Sequence, residues 1–240
     1  LSVPKPAMTL IHVLPSPDEL GRVYVTDYAL ASSPESFCTA LNNIKMGAQY
    51  DRQRMAQAHQ DYLNFSKPTA IPGAVQLSEI VASFPQYLPR NTIFANGAGN
   101  FATWLHRFYP YGGFKSQLAP ANGSMGYGLP AAIAAKIVDP KRVVVAFCGD
   151  GDFMMNCQEL ATAMRYHAQP IVIIVNNGMY GTIRMHQERE YKTRVSGTEL
   201  TNPDFITFAK SFSMPGYRVE KTEQFKSAIE SALQSTNGAI

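Results

Sequence analysis

Two stretches of sequence decide the fold of this 240-residue chain. Residues 142–151 read RVVVAFCGDG, and residues 170–177 read PIVIIVNN. Each stretch is a short apolar run rich in β-branched residues, which is typical of a buried strand. Each run ends in a polar turn, Gly149-Asp150-Gly151 in the first and Asn176-Asn177 in the second. The interval between them accommodates one helix, so the sequence predicts a strand–helix–strand unit with parallel strands.

The chemistry expected at this unit is that of a divalent cation next to a phosphate. Open α/β sheets bind ligands at the carboxyl ends of their parallel strands. We therefore expect the Asp150 carboxylate and the Asn177 carboxamide, 27 positions later, to converge on one point. Oxygen ligands of this kind suit Mg²⁺, and the glycines beside Asp150 let backbone approach a phosphate. Taken singly, each motif is explained at least as well by a simple turn as by a ligand site.

Alternating strands and helices on both sides of the unit predict the fold class. The chain is predicted to form a doubly wound, mostly parallel α/β sheet with helices on both faces. The predicted strands lie at 92–95, 142–148, 170–175 and, more weakly, 217–219. The predicted helices in the same part of the chain lie at 129–138, 154–166 and 225–233.

The first third of the chain reads as a different unit. A strand is predicted at 8–13, an extended piece at 23–28, a helix starting at Ser33-Pro34, and a polar surface helix or linker at 49–64. We therefore assign residues 1–45 to the end of a second α/β domain, 46–74 to a linker and 75–240 to the main domain. Because Leu1 stands where a methionine is expected and a further strand starts at 238–240, we expect a cut at both ends.

Composition excludes several classes of function. Hydrophobic residues make up 45% of the chain and charged residues 16%, which indicates a globular protein. The net charge of +3 is too small to argue for nucleic acid or a membrane surface as partner, and no apolar run is long enough to span a bilayer. Cys38, Cys148 and Cys157 form no CxxC pair, so we expect a cytoplasmic protein without a disulfide framework.

The order of these motifs resembles that of the thiamine-diphosphate-dependent enzymes. Gly149-Asp150-Gly151 followed by Asn176-Asn177 matches a pattern that these enzymes share. Residues 122–132, NGSMGYGLPAA, are similar to a segment of the acetolactate (acetohydroxyacid) synthases and related decarboxylases. Residues 8–28 resemble the end of their central domain. The resemblance covers roughly residues 75–235 and implies a thiamine-diphosphate-binding fold.

The resemblance also implies a set of cofactor ligands. Asp150, the Asn177 side chain and the Met179 carbonyl would bind Mg²⁺, with Asn177 and Met179 also contacting the cofactor. Met125 would hold the cofactor in a bent shape, while the Gly123 carbonyl and the Met125 amide bond its aminopyrimidine. The other residues implied to lie against the cofactor are Gly97, Ala98, Gly99, Asn100, Gly149, Gly151, Asp152, Phe153, Tyr180 and Gly181.

One group that this family needs is not expected in this chain. These enzymes use a glutamate from a separate pyrimidine-binding domain of the neighbouring subunit, and no room for that domain precedes residue 8. The catalytic residue is therefore unassigned, and we expect this piece alone to be inactive. Glu159 and Glu188 are better explained otherwise, Glu159 as a capping or packing residue. The resemblance implies a homodimer or homotetramer, and it is compatible with FAD in the complete protein.

The function implied by the resemblance is decarboxylation of a 2-oxo acid and ligation of the two-carbon unit to an acceptor, as in acetolactate synthases. A simple decarboxylase of the benzoylformate or indolepyruvate type is the alternative, because residues 176–182 also resemble those enzymes. His186 stands where the synthases commonly place a tryptophan, and it is either a substrate-facing proton donor or a surface residue. A non-catalytic cofactor-binding module stays open. A nicotinamide site at 97–102 is disfavoured because no Asp or Glu follows before Val138.

Overall fold

The computed structural model describes residues 2–44 and 51–240, which form two compact units, Leu1–Gln57 and Ala58–Ile240. The strands of the described residues are β1 (Ile11–Leu14), β2 (Tyr28–Ala31), β3 (Ile93–Asn96), β4 (Gln117–Leu118), β5 (Val144–Gly149) and β6 (Ile171–Val175). The helices are α1 (Pro34–Asn42), α2 (Arg52–Phe65), α3 (Leu77–Tyr87), α4 (Asn100–Phe108), α5 (Gly128–Val138), α6 (Asp150–Asn156), α7 (Leu160–Arg165), α8 (Gly181–Glu190), α9 (Phe205–Ser211) and α10 (Phe225–Gln234). No helix in these ranges is long and apolar enough to cross a membrane.

The first unit contains a pair of parallel strands followed by a helix. Strands β1 and β2 pair in parallel, with Ile11 opposite Tyr28. Helix α1 starts where the sequence predicts, because Ser33 caps it by accepting the Ser36 N–H at 3.1 Å and Pro34 fits the first turn. Both strands lie later in the chain than the predicted segments 8–13 and 23–28.

The second unit is built on a four-stranded parallel sheet in the order β4-β3-β5-β6. Phe94 of β3 lies opposite Val145 of β5, and Val145 lies opposite Ile171 of β6. A parallel bridge from Ile171 to Ala239 continues the sheet beyond β6, where the sequence predicts a further strand. The predicted fold class is confirmed, since parallel strands with helices between them form a doubly wound sheet.

The central strand β5 divides the core of the second unit into two layers. Val144, Ala146 and Cys148 are fully or almost fully buried and belong to one hydrophobic cluster, which also contains residues of α5, α6, α7 and α9. Val145 and Phe147 alternate with them and belong to the opposite cluster, which contains residues of α3, α4 and α10. Because successive side chains of a strand point to opposite faces, an unbroken apolar run is what a doubly covered strand requires.

Two predicted elements are wrong. The segment 217–219 forms no strand; the Tyr217 N–H instead donates to the Ile240 carbonyl at 2.8 Å. The helix predicted at 154–166 is interrupted, because α6 ends at Asn156, a short 3-10 turn covers Cys157–Glu159, and α7 then continues. The backbone of Asn156 leaves the helical region at φ −136°, and its side chain bonds another segment.

The domain boundaries at 45/46 and 74/75 stay predictions. Helix α2 covers most of the segment 49–64, for which the sequence predicts a surface helix or a linker. Positions 49 and 50 lie outside the described residues. The division between the two compact units falls within this helix in the sequence, after Gln57.

Candidate functional site

The carboxyl edge of the sheet opens into a cleft with a cavity volume of about 80 Å³. The parallel register places Gly149, the last residue of β5, opposite Val175, the last residue of β6. The polar residues that follow each strand, Asp150 and Asn176, therefore leave the sheet side by side. The convergence of the two motifs follows from this register.

Three helices begin at this cleft. Asn100 of α4, Asp150 of α6 and Gly181 of α8 are the first residues of their helices, and all three line the cleft. The first N–H groups of a helix lack partners within it, and the helix dipole adds positive potential, so helix starts attract anions. The Asn100 N–H donates to the Thr182 hydroxyl at 2.9 Å, which ties the starts of α4 and α8 together. The cleft is therefore suited to a phosphate-bearing ligand.

Asp150 is held in a fixed orientation at the floor of the cleft. Its side chain is buried, with only 2% of the residue exposed. Oδ2 accepts hydrogen bonds from the Gly178 N–H at 2.8 Å and from Nδ2 of Asn202 at 2.7 Å. A carboxylate has about four acceptor positions, so these two bonds orient it without exhausting its capacity for a cation.

The two other predicted metal ligands line the same cleft. Oδ1 of Asn177 accepts the Met179 N–H at 3.2 Å, and the Met179 carbonyl accepts the Gly181 N–H at 2.9 Å. With Asp150 they supply a carboxylate, a carboxamide and a carbonyl, and all three are hard oxygen donors. This set fits Mg²⁺, which takes few protein ligands and completes its shell with phosphate oxygens and water.

The glycines that flank Asp150 are required by packing as well as by any ligand. A Cβ added to Gly151 would come within 2.5 Å of the Tyr180 ring, and one added to Gly149 within 2.8 Å of the Phe101 ring. Both rings line the cleft. The Tyr180 and Phe101 rings therefore pack directly against these glycines, and a larger residue at either position would displace the ring.

A second acid, Asp152, is buried beside the cleft. Only 1% of the residue is exposed, and its Oδ2 has no hydrogen-bond partner among the described residues. Burial raises the pKa of the Asp152 carboxyl above its ordinary value, and burial next to this carboxyl raises the pKa of the Cys148 thiol well above its ordinary value. Desolvation disfavours the charged form of both groups, so Cys148 is unreactive in this environment.

Most of the predicted cofactor residues line the cleft. Those that do are Ala98, Gly99, Asn100, Met125, Gly149, Asp150, Gly151, Asp152, Asn177, Met179, Tyr180 and Gly181. Gly97 lies behind this surface against the Asp152 carboxylate, and Gly123 is exposed outside it. The Phe153 side chain packs edge-on against Phe205 and Phe208 in the core. Four further residues line the cleft, namely Phe101, Val175, Thr182 and Ile183.

Sequence reasoning missed the segment 198–202, which supports the turn at 176–180. The Thr198 carbonyl accepts the Tyr180 N–H at 2.8 Å, and the Leu200 N–H donates to the Gly178 carbonyl at 2.9 Å. Asn202 then reaches Asp150. The segment carries no periodic pattern, and the only local signal is the Asn202-Pro203 turn.

The side chains considered for acid–base chemistry are engaged locally. Glu188 pairs with Arg184 at 2.9 Å, and Glu159 accepts the Thr162 hydroxyl at 2.6 Å. His186 is exposed on α8, with Nδ1 3.0 Å from an Arg189 nitrogen. Because a guanidinium only donates, Nδ1 accepts, which leaves the ring proton on Nε2. The role of His186 as a proton donor stays a prediction.

Comparison with protein families identifies the cleft-bearing part of the chain. Residues 97–240 match the model of the family described as "Thiamine pyrophosphate enzyme, C-terminal TPP binding domain". The chain belongs to this family. The matched range contains the ends of β5 and β6, the three helix starts and the candidate metal ligands. Thiamine pyrophosphate is the same compound as thiamine diphosphate, so the family resemblance stated from the motifs is confirmed.

Curated relatives of the chain carry the name acetolactate synthase. The large subunit from Cyanidium caldarium is 30% identical over 240 residues, covering 96% of this chain and 41% of that protein. The Escherichia coli (strain K12) isozyme 2 large subunit is 28% identical, covering 96% of this chain and 42% of that protein. The chloroplastic acetolactate synthase 1 of Oryza sativa subsp. japonica is 37% identical over 153 residues, which is 60% of this chain and 24% of the rice protein. The chain thus spans about two fifths or less of their length.

Among solved structures, the chain resembles the Rhodococcus jostii RHA1 thiamine diphosphate-dependent 4-hydroxybenzoylformate decarboxylase. The TM-score is 0.79 with 24% sequence identity, covering 95% of this chain and 42% of the other. This likeness establishes the shared fold.

Proposed function

We propose that the chain binds the diphosphate of thiamine diphosphate through Mg²⁺ at the cleft on the carboxyl edge of its sheet. The observation that carries this proposal is the meeting of Asp150 and Asn177 with three helix starts at one point. Asp150, Asn177 and the Met179 carbonyl hold the cation. The starts of the three helices, where the helix dipoles are positive, face the phosphate oxygens.

The other half of the proposed site holds the organic rings of the cofactor. Met125 lines the cleft from the turn before α5, next to the diphosphate residues, and supports the bent shape of the cofactor. The Met125 amide and the Gly123 carbonyl bond the aminopyrimidine. When bound, thiamine diphosphate supplies a carbon nucleophile and an electron sink for decarboxylation. The chain's own contribution is to bind and orient it.

We further propose that the complete protein decarboxylates a 2-oxo acid and ligates the two-carbon unit to an acceptor. The relatives named acetolactate synthase, which match 96% of this chain, support this reading. A simple decarboxylase is the second candidate, and the observation that favours it is His186 on α8, where the synthases commonly have a tryptophan. For either enzyme, the family resemblance implies a catalytic glutamate from a pyrimidine-binding domain of the neighbouring subunit.

We also propose that the working unit is a homodimer or homotetramer. The cleft is open, and apolar side chains beside the site residues are exposed to solvent. The exposed fractions are 36% for Tyr127, 37% for Met154, 46% for Met155 and 47% for Ile183. A domain of a second subunit that covers them would remove this apolar surface from water.

Product analysis on the complete gene product tests the activity. The protein is incubated with pyruvate, thiamine diphosphate and Mg²⁺, and the products are quantified by NMR. Acetolactate with one carbon dioxide for every two pyruvates supports the ligase, whereas acetaldehyde in equal amount to carbon dioxide supports the decarboxylase. Cofactor binding without turnover of pyruvate or a panel of larger 2-oxo acids would instead identify a non-catalytic module.

A further inference from the structure

Two side chains of helix α6 hydrogen-bond the backbone of Gly126, one to its N–H and one to its carbonyl. Its N–H donates to Oδ1 of Asp152 at 2.6 Å, and its carbonyl accepts from Nδ2 of Asn156 at 2.8 Å. Asp152 and Asn156 are four positions apart, so both side chains leave the same face of the helix. We call this pair of hydrogen bonds the Gly126 clamp.

The surroundings of the clamp allow little displacement. Gly126 is buried at φ +80°, and a Cβ added to it would lie 2.6 Å from Nδ2 of Asn156. The Asp152 carboxylate also packs against Gly97, so closely that a Cβ added to Gly97 would collide with it. Asp152 thus lies between two turns, the one that carries Met125 and the one at 97–99 that leads into α4.

Burying Asp152 in this position is costly. An unpaired oxygen on a carboxyl that is 99% shielded from solvent carries a desolvation penalty, and Oδ2 has no hydrogen-bond partner in the described ranges. A hydrophobic residue at this position would avoid the penalty but could not accept the Gly126 N–H. The Asp152 carboxyl therefore holds the turn at Gly126 in one position, although its burial lowers the free energy of unfolding.

We propose that Asp152 and Asn156 are positioning residues that keep the Met125 turn in register with the metal ligand Asp150 on the same helix. The inference rests on the proposed function, since it assumes that Asp150 and the Met125 turn bind the two halves of one cofactor. Helix α6 then fixes both halves of the site. Asp150, its first residue, holds the cation, and the clamp residues two and six positions later set the Met125 backbone amide that faces the aminopyrimidine.

The clamp has an experimental signature because thiamine diphosphate uses both halves of the site and inorganic pyrophosphate uses only one. Asn156→Asp keeps the size of the side chain but replaces the donor to the Gly126 carbonyl by an acceptor. In the complete gene product with saturating Mg²⁺, we expect this variant to bind thiamine diphosphate about tenfold more weakly. Its affinity for pyrophosphate should stay within about twofold of wild type. Calorimetric titration measures both.

A pair of substitutions at Asp152 provides the matched comparison. Asp152→Asn retains an oxygen that can accept the Gly126 N–H, whereas Asp152→Ala does not. We expect Asp152→Ala to weaken thiamine diphosphate binding clearly more than Asp152→Asn does, while thermal melting shows that both apoproteins fold.

Two results would overturn the inference. Equal losses of pyrophosphate and thiamine diphosphate affinity in Asn156→Asp would show a general effect on the fold, and unchanged affinity for both would show that the clamp positions nothing. Failure of the proposed function is distinguishable, because wild type itself would then bind no thiamine diphosphate.

Discussion

Nδ2 of Asn202 donates a 2.7 Å hydrogen bond to Oδ2 of Asp150, although the two residues are 52 positions apart. The same amide group bonds Oδ1 of Asn176 at 3.0 Å, so one side chain joins the turns that follow both strands. Partners of this kind orient a metal ligand without touching the metal. Asn202 therefore belongs to the site although it lies in a different loop.

Removing the Asn202 amide should weaken cation binding. In Asn202→Ala we expect the Mg²⁺ concentration for half-maximal thiamine diphosphate binding to rise about 10-fold, because the Asp150 carboxylate loses one of its two orienting donors and keeps the Gly178 N–H. The measurement is a Mg²⁺ titration followed by fluorescence or calorimetry. Asn237→Ala is the control, since that amide contacts the Ser213 carbonyl. Equal Mg²⁺ dependence in wild type and Asn202→Ala would contradict this role.

Gly97 should be intolerant of any side chain. A Cβ at this position collides with the buried Asp152 carboxylate, so Gly97→Ala must displace either the turn or the acid. We expect a lower melting temperature and weaker cofactor binding. The control is Gly113→Ala, where an added Cβ has no atom within 4 Å and the backbone needs no positive φ. If Gly97→Ala behaves like Gly113→Ala, the packing described around Asp152 is wrong.

The buried Asp152 carboxyl should make stability depend on pH. Its pKa is raised in the folded protein, so between the unfolded and folded pKa values the folded state binds more protons than the unfolded state. Stability therefore falls as the pH rises through this window. Urea unfolding of the cofactor-free protein should show wild type losing stability relative to Asp152→Asn from pH 3.5 upward, in roughly the range where carboxyls titrate. If the free energies of unfolding of the two proteins change in parallel with pH, the pKa of Asp152 is not raised in the folded state.

Phe84 should be a main contributor to the second core layer. It is fully buried, stacks on Phe94 at a centroid distance of 5.4 Å and packs at 5.6 Å against Phe225. Phe84→Ala should lower the free energy of unfolding by about 3–5 kcal/mol, because it leaves a cavity. Phe114→Ala, at a side chain that is 91% exposed, should change it by less than about 0.5 kcal/mol. Similar losses in chemical denaturation would refute this assignment of the core.

The sheet and the convergence of the two polar turns could be predicted because the responsible residues are local. Strands β5 and β6 are unbroken apolar runs, and a strand buried on both faces needs this pattern. Each polar turn follows directly, so the register of the two strands is enough to bring Asp150 and Asn177 together. The Mg²⁺ proposed for this pair rests on the oxygen donors that the two side chains supply.

The parts that could not be predicted depend on contacts across the chain. Strand β4 is two residues long and exists through its pairing with β3, and no propensity reveals so short an element. Helix 154–166 is interrupted because Asn156 uses its side chain on Gly126, 30 positions away. Asn202 reaches Asp150 from an irregular loop. Tertiary hydrogen bonds override local preference at each of these positions.

The central claim is that Asp150 binds the metal that carries the diphosphate. The most direct measurement is thiamine diphosphate binding by the complete gene product, with Mg²⁺ and with EDTA, for wild type and Asp150→Ala, with circular dichroism to confirm folding. We expect wild type to bind only with Mg²⁺ and folded Asp150→Ala to show no binding with or without it. If folded Asp150→Ala binds the cofactor as tightly as wild type does in Mg²⁺, the turn at 149–151 holds no metal and the account is wrong.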